Sequence, residues 1–450
     1  MARRKPFNYS FTSFFKHKVN GGILLILFAV LAMVVANSPW STYYISFLEY
    51  PLSLKFGDFN LLSHHGVGLT MADFINDCLM AIFFFHVGLE IKREILVGEL
   101  SSVKKAALPI IAAFGGMIVP VLIFLIFDHT APGSRGAAIP MATDIAFSLG
   151  ALSLLGKRVP LGLKIFLTAF AVADDIGGIL VIAVFYASNL NYIALFSAFA
   201  LIAFLYVANR LRIQWKTLYA LVGVAVWYLF MQSGVHSTVA GVLVAFTIPA
   251  VPRMDIQKYI NRIRRSVNTF PVRNIKSIVL TNDQIRELKI IEGNSNKVIS
   301  PLQDMEDRLS GFVNYFILPL FAFANSGVVF GSSGELFGLV TFGVAFGLII
   351  GKPIGLFSFT WISVKLRLVM LPDGVNWKSL WGVCCMGGIG FTVSLFIANL
   401  SFGTAYPELL NQAKLGIVLG TLVSGMIGYV FLNKALPKNK MADADADNFD

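Results

Sequence analysis

Asp174 and Asp175 stand side by side in FLTAFAVADDIGGILVIAVFY, a run from Phe166 to Tyr186 that is otherwise apolar. A carboxylate at the centre of a bilayer is costly unless it faces protein or a water-filled cavity, so an adjacent pair implies a function that needs negative charge at depth. The chemistry that such a pair offers is reversible. It binds a hard cation through oxygen or it binds protons, and occupancy by one disfavours the other. Other polar residues share the setting: Thr143 and Asp144 in AAIPMATDIAFSLGALSLL, Lys352 in FGLIIGKPIGLF, and Asp77 and His86 in FINDCLMAIFFFHVGLEIKRE.

Membrane helices must position these groups. The chain has 450 residues, of which 56% are hydrophobic and only 14% charged, the composition of an all-α polytopic membrane protein. Apolar runs long enough to cross about 30 Å of hydrocarbon begin near Gly21, Met71, Leu108, Ala138, Leu161, Tyr192, Leu218, His236, Phe312, Leu339, Leu380 and Leu415. They predict about 12 transmembrane helices. Basic residues precede the first run without a small-residue cleavage site, which reads as an uncleaved first helix.

The net charge of +11 follows topology. Lys and Arg gather in alternate loops: the N-terminus, 92–105, 157–158, 210–216, 253–308, 365–367 and 434–440, with Lys55 and Arg135 as the main exceptions. This positive-inside pattern predicts a multi-pass protein with both termini cytoplasmic and removes any need for a nucleic-acid partner. Cys78, Cys384 and Cys385 all fall within apolar runs, and no disulfide framework or zinc spacing follows.

The chain divides into a cytoplasmic N-terminal arm (1–19), spans 1–8 (20–251), a basic cytoplasmic insertion (252–308), spans 9–12 (309–434) and an acidic tail (435–450) expected to be disordered. Between spans 1 and 2, an outward segment near 46–62 contains PLSLKFGDFNLL, where alternating residues flank Gly57 and Asp58 as in a β-hairpin. Such a hairpin suits pairing with a second copy across a homodimer axis, or is a solvated ornament. The insertion reads as a partly helical linker, or as a regulatory or lipid-contacting element.

Spans 4 and 11 look interrupted. Pro140 removes a backbone donor beside Thr143 and Asp144, and CCMGGIGFTVSLF holds three glycines that disfavour a continuous helix. Broken helices in corresponding halves point to inverted-topology repeats, here spans 3–5 and 10–12, around a midplane site. Half-helix ends carry partial charges that need compensation. Asp144 suits the positive ends and Lys352 the negative ones, unless Lys352 pairs directly with Asp174 or Asp175.

The runs MATDIAFSLGALSLLGKRVPLGLKIFLTAFAVADDIGG, SGVHSTVAG, ILPLFAFANSG, LIIGKPIG and GGIGFTVSLFIA resemble, in the same order, those of the NhaA-type sodium/proton antiporters. The resemblance spans most of the chain and leaves out the N-terminal arm, much of the insertion and the tail. It implies Asp175 as the principal Na+-binding and proton-carrying carboxylate, with Asp174 its partner and second candidate ligand of the transported ion. Thr143 and Asp144 match the broken-helix pair, Lys352 the lysine facing the aspartates, and Asp77 an accessory aspartate. Glu90, Lys92, Arg93, Glu94 and Glu306 match a cytoplasmic cluster used in pH response. The chain departs from the pattern where histidines would follow Glu306, having Asp307 and Ser310 instead. His86 replaces an expected apolar residue, and the insertion is unusually long.

The implied function is electrogenic exchange of Na+, and of Li+, for protons by alternating access in a bacterial inner membrane, serving pH and sodium homeostasis. No cofactor and no enzymatic step are implied; the partners are the bilayer, sodium ions and protons. Whether Asp174 or Lys352 carries a second proton stays open. A sodium-coupled solute symporter would need a roomier cavity. An intramembrane aspartyl protease would need a second acid where GGIGF places Phe391, and a passive channel would show rings of acidic residues or filter carbonyls.

Overall fold

A computed structural model describes residues 9–56, 59–60, 63–64, 67–187, 190–252, 254–270, 279–329, 336–372 and 374–437. The turn pair Gly57 and Asp58, residues 1–8 of the N-terminal arm and the tail beyond 437 lie outside them. Helices dominate because backbone in hydrocarbon must satisfy its hydrogen bonds within the segment.

Among the described residues, six helices are long and apolar enough to cross a membrane: Met71–Val97, Val103–Phe127, Leu161–Phe185, Tyr192–Arg210, Leu339–Lys365 and Pro407–Ala435. Three bent pairs raise the number to nine: Gly21–Ala36 with Ser41–Leu48, Gly133–Met141 with Ile145–Ser153, and Trp377–Gly387 with Phe391–Phe402. The remaining apolar runs are also helical, as Lys216–Ser233, Ser237–Thr247 and a composite from Pro301 to Asn325. They are shorter or more polar. We number the apolar runs in chain order as spans 1 to 12.

Two local forms differ from a plain helix reading. The first half of span 4, Gly133–Met141, is a 3-10 helix, the tighter form being compatible with a Pro140 that can donate no backbone hydrogen bond. Spans 2, 9 and 10 contain π-helical turns at Phe74–Leu79, Val313–Ile317 and Gly347–Gly351. Asp77 and Asn314 lie within such turns and Lys352 follows one directly. An extra residue per turn shifts the side-chain register there.

The segment between spans 1 and 2 pairs on either side of residues 57–58 as expected but differs in its bounds. Residues 46–48 belong to the helix Ser41–Leu48, bent 115° from span 1, and pairing continues well beyond 62. Strand Pro51–Leu52 pairs antiparallel with Val67–Thr70, Lys55–Phe56 with Phe59–Asn60, and Ser63–His64 returns onto Val67–Thr70. The sheet ends where Thr70 and Asp73 cap span 2, Asp73 N donating to Thr70 Oγ1 at 3.1 Å and Thr70 N to Asp73 Oδ2 at 2.9 Å.

Small residues set the closest contacts, as expected where helices associate without a hydrophobic driving force. A Cβ on Gly115 of span 3 would lie 2.2 Å from Gly355 O of span 10, and one on Gly355 would lie 2.1 Å from Gly115 O. Spans 2 and 8 meet similarly, a Cβ on Gly241 falling 2.4 Å from Ala81 O. Within the insertion, helices Ile256–Asn268 and Asn282–Val298 lie antiparallel. Tyr259 Oη is 3.0 Å from Ser295 Oγ, and Met254 N donates to Lys297 O at 3.0 Å.

Candidate functional site

Spans 4 and 11 break where they pass each other, with bends of 43° and 41°. Their backbones touch there, Asp144 N donating to Ile389 O at 2.6 Å. Gly390 of span 11 serves this approach, and Gly388 lets span 11 close on span 10. Gly388 and Gly390 have ordinary negative φ values of -74° and -101°, but a Cβ on Gly388 would sit 2.3 Å from Leu348 O and one on Gly390 2.9 Å from Ala142 O.

Every helix break frees backbone groups that hydrocarbon cannot satisfy. At the N-terminal ends, one carboxylate serves both breaks: Asp144 Oδ1 accepts from Phe147 N at 3.0 Å, and Oδ2 accepts from Thr392 N at 3.1 Å and Thr392 Oγ1 at 2.6 Å. This is N-capping of two half-helices by a single negative charge. At the carbonyl ends, Thr143 Oγ1 donates to Gly387 O at 3.0 Å, Ser148 Oγ to Met386 O at 3.1 Å and Ser394 Oγ to Ile139 O at 2.9 Å. Lys352 Nζ donates to Met141 O, the last carbonyl of the 3-10 helix.

Asp174 and Asp175 are consecutive on an unbroken helix, so their side chains leave it about 100° apart. Asp174 turns to span 10, where its Oδ2 accepts from Lys352 Nζ at 2.6 Å with both side chains buried. Its Oδ1 is buried beside the Thr143 hydroxyl. Asp175, also buried, lines a cavity of about 40 Å³ with His86, Glu90, Thr143, Asp144, Asn314 and Thr392 among its walls. That volume holds a few waters or an ion.

The structure thus brings Thr143, Asp144, Asp174, Asp175 and Lys352 together, with Lys352 against Asp174. Asp77 stands apart on its π-turn, its Oδ1 3.4 Å from His236 Nε2, while His236 Nδ1 accepts from Thr238 N at the start of span 8. The charged end of span 2 divides. Glu90 faces the cavity; Lys92 Nζ donates to Phe246 O and Ile248 O at 2.7 and 2.5 Å, closing the C-terminus of span 8. Arg93 pairs with Glu306 at 2.8 Å and Glu94 at 3.1 Å.

Sequence reasoning missed Thr392, Ser148, Ser394 and Asn314. A hydroxyl directly after the GGIGF break was the available signal for Thr392, since a broken helix must find donors nearby. Asn325 Nδ2 donates to Asn76 Oδ1 and Asn399 Nδ2 to Asn325 Oδ1, both at 2.8 Å, a polar chain across spans 2, 9 and 11.

The family model described as Na+/H+ antiporter 1 matches residues 12–432. The Na(+)/H(+) antiporter NhaA of Bacteroides fragilis is 57% identical over 432 residues, covering 96% of this chain and 99% of that protein. The protein of the same name from Bacteroides thetaiotaomicron is 57% identical over 429 residues, covering 95% and 98%. That of Helicobacter pylori is 45% identical over 423 residues, covering 93% and 94%.

Proposed function

The chain belongs to the Na+/H+ antiporter 1 family, and from that premise we propose that it exchanges sodium ions for protons across a bacterial inner membrane, with Asp175 as the exchanging carboxylate. One observation carries the reading. Asp175 is a buried acid facing a small cavity with both polar and apolar walls, while its neighbour Asp174 is held by Lys352. The cavity leaves room for one small partner at the Asp175 carboxylate, and either Na+ or H+ fills that place. Competition for one site gives exchange if only loaded forms change their facing.

Asp174 and Lys352 form the second proton station in this reading. Sodium arriving at Asp175 draws Asp174 toward it, loosens the ion pair and frees a proton from the coupled group. Two protons then move for each sodium ion, and Li+, a smaller hard cation, is accepted as well. Asp144 and Thr143 hold the crossing together, and a bound cation would also draw on their oxygens. The helix ends near Glu90, Arg93 and Glu306 face the cytoplasm in this reading, as do both termini, and set the pH response.

Solute symport is disfavoured by size, since a cavity of about 40 Å³ is far below the few hundred Å³ that organic ligands need. Protease chemistry is disfavoured by Asp144, whose two oxygens are engaged by backbone and hydroxyl donors.

The test is in everted vesicles from cells lacking their own antiporters. Sodium or lithium added to a respiring preparation is expected to collapse the pH gradient with the parent chain and to leave it intact with Asp175→Asn. An inserted parent chain giving no collapse between about pH 6 and 9, the range over which such carriers must work, would overturn the exchange reading.

A further inference from the structure

The helix Ile256–Asn268, IQKYINRIRRSVN, has no part in the site above. On a helical wheel Ile256, Ile260, Ile263 and Val267 share one stripe, and the opposite side carries Lys258, Arg262 and Arg265 with Arg264 on the flank. The helix contains no acidic residue. Its neighbour Asn282–Val298 mixes three acids with three bases, so the positive charge is concentrated on one partner of the pair.

The apolar stripe is only partly used. Tyr259, Arg262 and Ser266 face the neighbouring helix, Tyr259 meeting Ser295 at 3.0 Å and Arg262 meeting Asn294 at 3.4 Å, with Ser266 buried. Ile256, Ile260 and Val267 stay 64%, 41% and 58% exposed. In a soluble protein such a stripe would be covered by protein. Here the helix starts within about ten residues of the end of span 8, a tether that reaches at most about 35 Å, so a bilayer surface is always within range.

We propose that Ile256–Asn268 lies in the plane of the membrane surface, its apolar stripe among the acyl chains and its Lys and Arg side chains among anionic lipid headgroups. A basic amphipathic helix gains from both contacts together, and the long basic side chains extend to the headgroup level while their stems cover apolar surface. Each basic residue near an anionic surface changes the ratio of docked to free helix about fivefold. The site is independent of how ions are exchanged.

The test uses the full chain with Cys78, Cys384 and Cys385 replaced, carrying one new cysteine at Ile260→Cys on the stripe or Asn261→Cys on the polar side. Each is labelled with an environment-sensitive fluorophore and reconstituted in phosphatidylcholine, alone or mixed with phosphatidylglycerol. Acyl chains carrying a nitroxide near the carbonyl serve as quencher. In the mixed bilayers the label at 260 is expected to shift to the blue and be quenched while that at 261 is not. Quenching should fall in phosphatidylcholine alone, in high salt, and when Arg264→Gln and Arg265→Gln are added. Equal quenching with and without phosphatidylglycerol would overturn the proposal, as would no quenching in either. A label at 260 that is blue-shifted equally in both bilayers yet not quenched by the nitroxide would mean that a protein surface covers the stripe, which also overturns it.

Discussion

Lys352 is the residue on which two needs converge, since it neutralises Asp174 and satisfies the Met141 carbonyl at the end of a half-helix. Removing one partner of a buried pair leaves the other charge uncompensated, typically at about 3–5 kcal/mol, whereas replacing both by uncharged groups is far less damaging. Lys352→Met is therefore expected to lower the melting temperature of the purified protein sharply, and Asp174→Asn added to it to restore most of the loss. Melting curves of the single and double variants check this; a double variant as unstable as Lys352→Met would show that the lost Met141 contact, not the orphaned charge, dominates. Asp144 makes a parallel case. Asp144→Ala removes the acceptor for both half-helix N-termini and is expected to cost about 1–3 kcal/mol, with Asp144→Asn intermediate because one oxygen remains. The charged residues were legible in the sequence because an acid or a lysine inside an apolar run is an outlier. Thr392, Ser148 and Ser394 were not, since hydroxyls are common in membrane helices and their partners are set by the crossing.

At the scale of elements, position of the lysine depends on how closely spans 3 and 10 pack. Gly355 lies three residues after Lys352, and a side chain there would collide with the Gly115 carbonyl, a backbone atom that cannot rotate away. Gly355→Ala is expected to push the spans apart, move Lys352 away from Asp174 and abolish gradient collapse in vesicles. Gly150→Ala, with nothing within 4 Å of the added carbon, should leave collapse intact and gives the control; equal activity in the two variants would remove the packing explanation. Interruption of spans 4 and 11 was legible from Pro140 and the GGIGF glycines, but the physical cause differs between them. Pro140 acts through its missing donor, and the glycines act through close approach at ordinary φ. The π-turns left no trace in hydrophobic periodicity, because one extra residue is absorbed without changing composition. A second element contact carries a pH signature. Asp304, in the helical turn of the insertion that leads into span 9, takes hydrogen bonds and charge from Lys216 and Arg308; burial works against its ionised form, yet these partners hold its carboxyl below the usual range. A folded value below the unfolded one gives stability that is complete above about pH 3.9 and is lost as pH falls through the folded value. Asp304→Asn should therefore lower the melting temperature at neutral pH by the equivalent of about 0.5–1 kcal/mol, and the difference from the parent should shrink below pH 4.

For the whole molecule, the parity of the positive loops and the pairing of two broken spans lead to the expectation of an inverted repeat. The structure adds how the broken spans engage: spans 4 and 11 exchange hydrogen bonds at their breaks, and spans 3 and 10 approach closely where Gly115 faces Gly355. Neither pairing can be read from one strand of sequence, because each is a distance between residues more than two hundred positions apart. The proposed reading has an electrical consequence. The site gathers Asp144, Asp174, Asp175 and Lys352, and it reorients carrying either one sodium ion or, in the proposed reading, two protons. One net positive charge then moves inward for each sodium ion expelled. A membrane potential acts on that charge with about 2.3 kcal/mol per 100 mV, so an interior-negative potential of 100 mV should let the carrier hold a sodium gradient about fiftyfold steeper than the pH gradient alone allows. Proteoliposomes clamped with valinomycin and potassium, with the steady sodium distribution read at several imposed potentials, measure this directly. A sodium distribution that ignores the potential would mean one proton per sodium ion, and would assign Asp174 and Lys352 to holding the fold rather than to carrying charge.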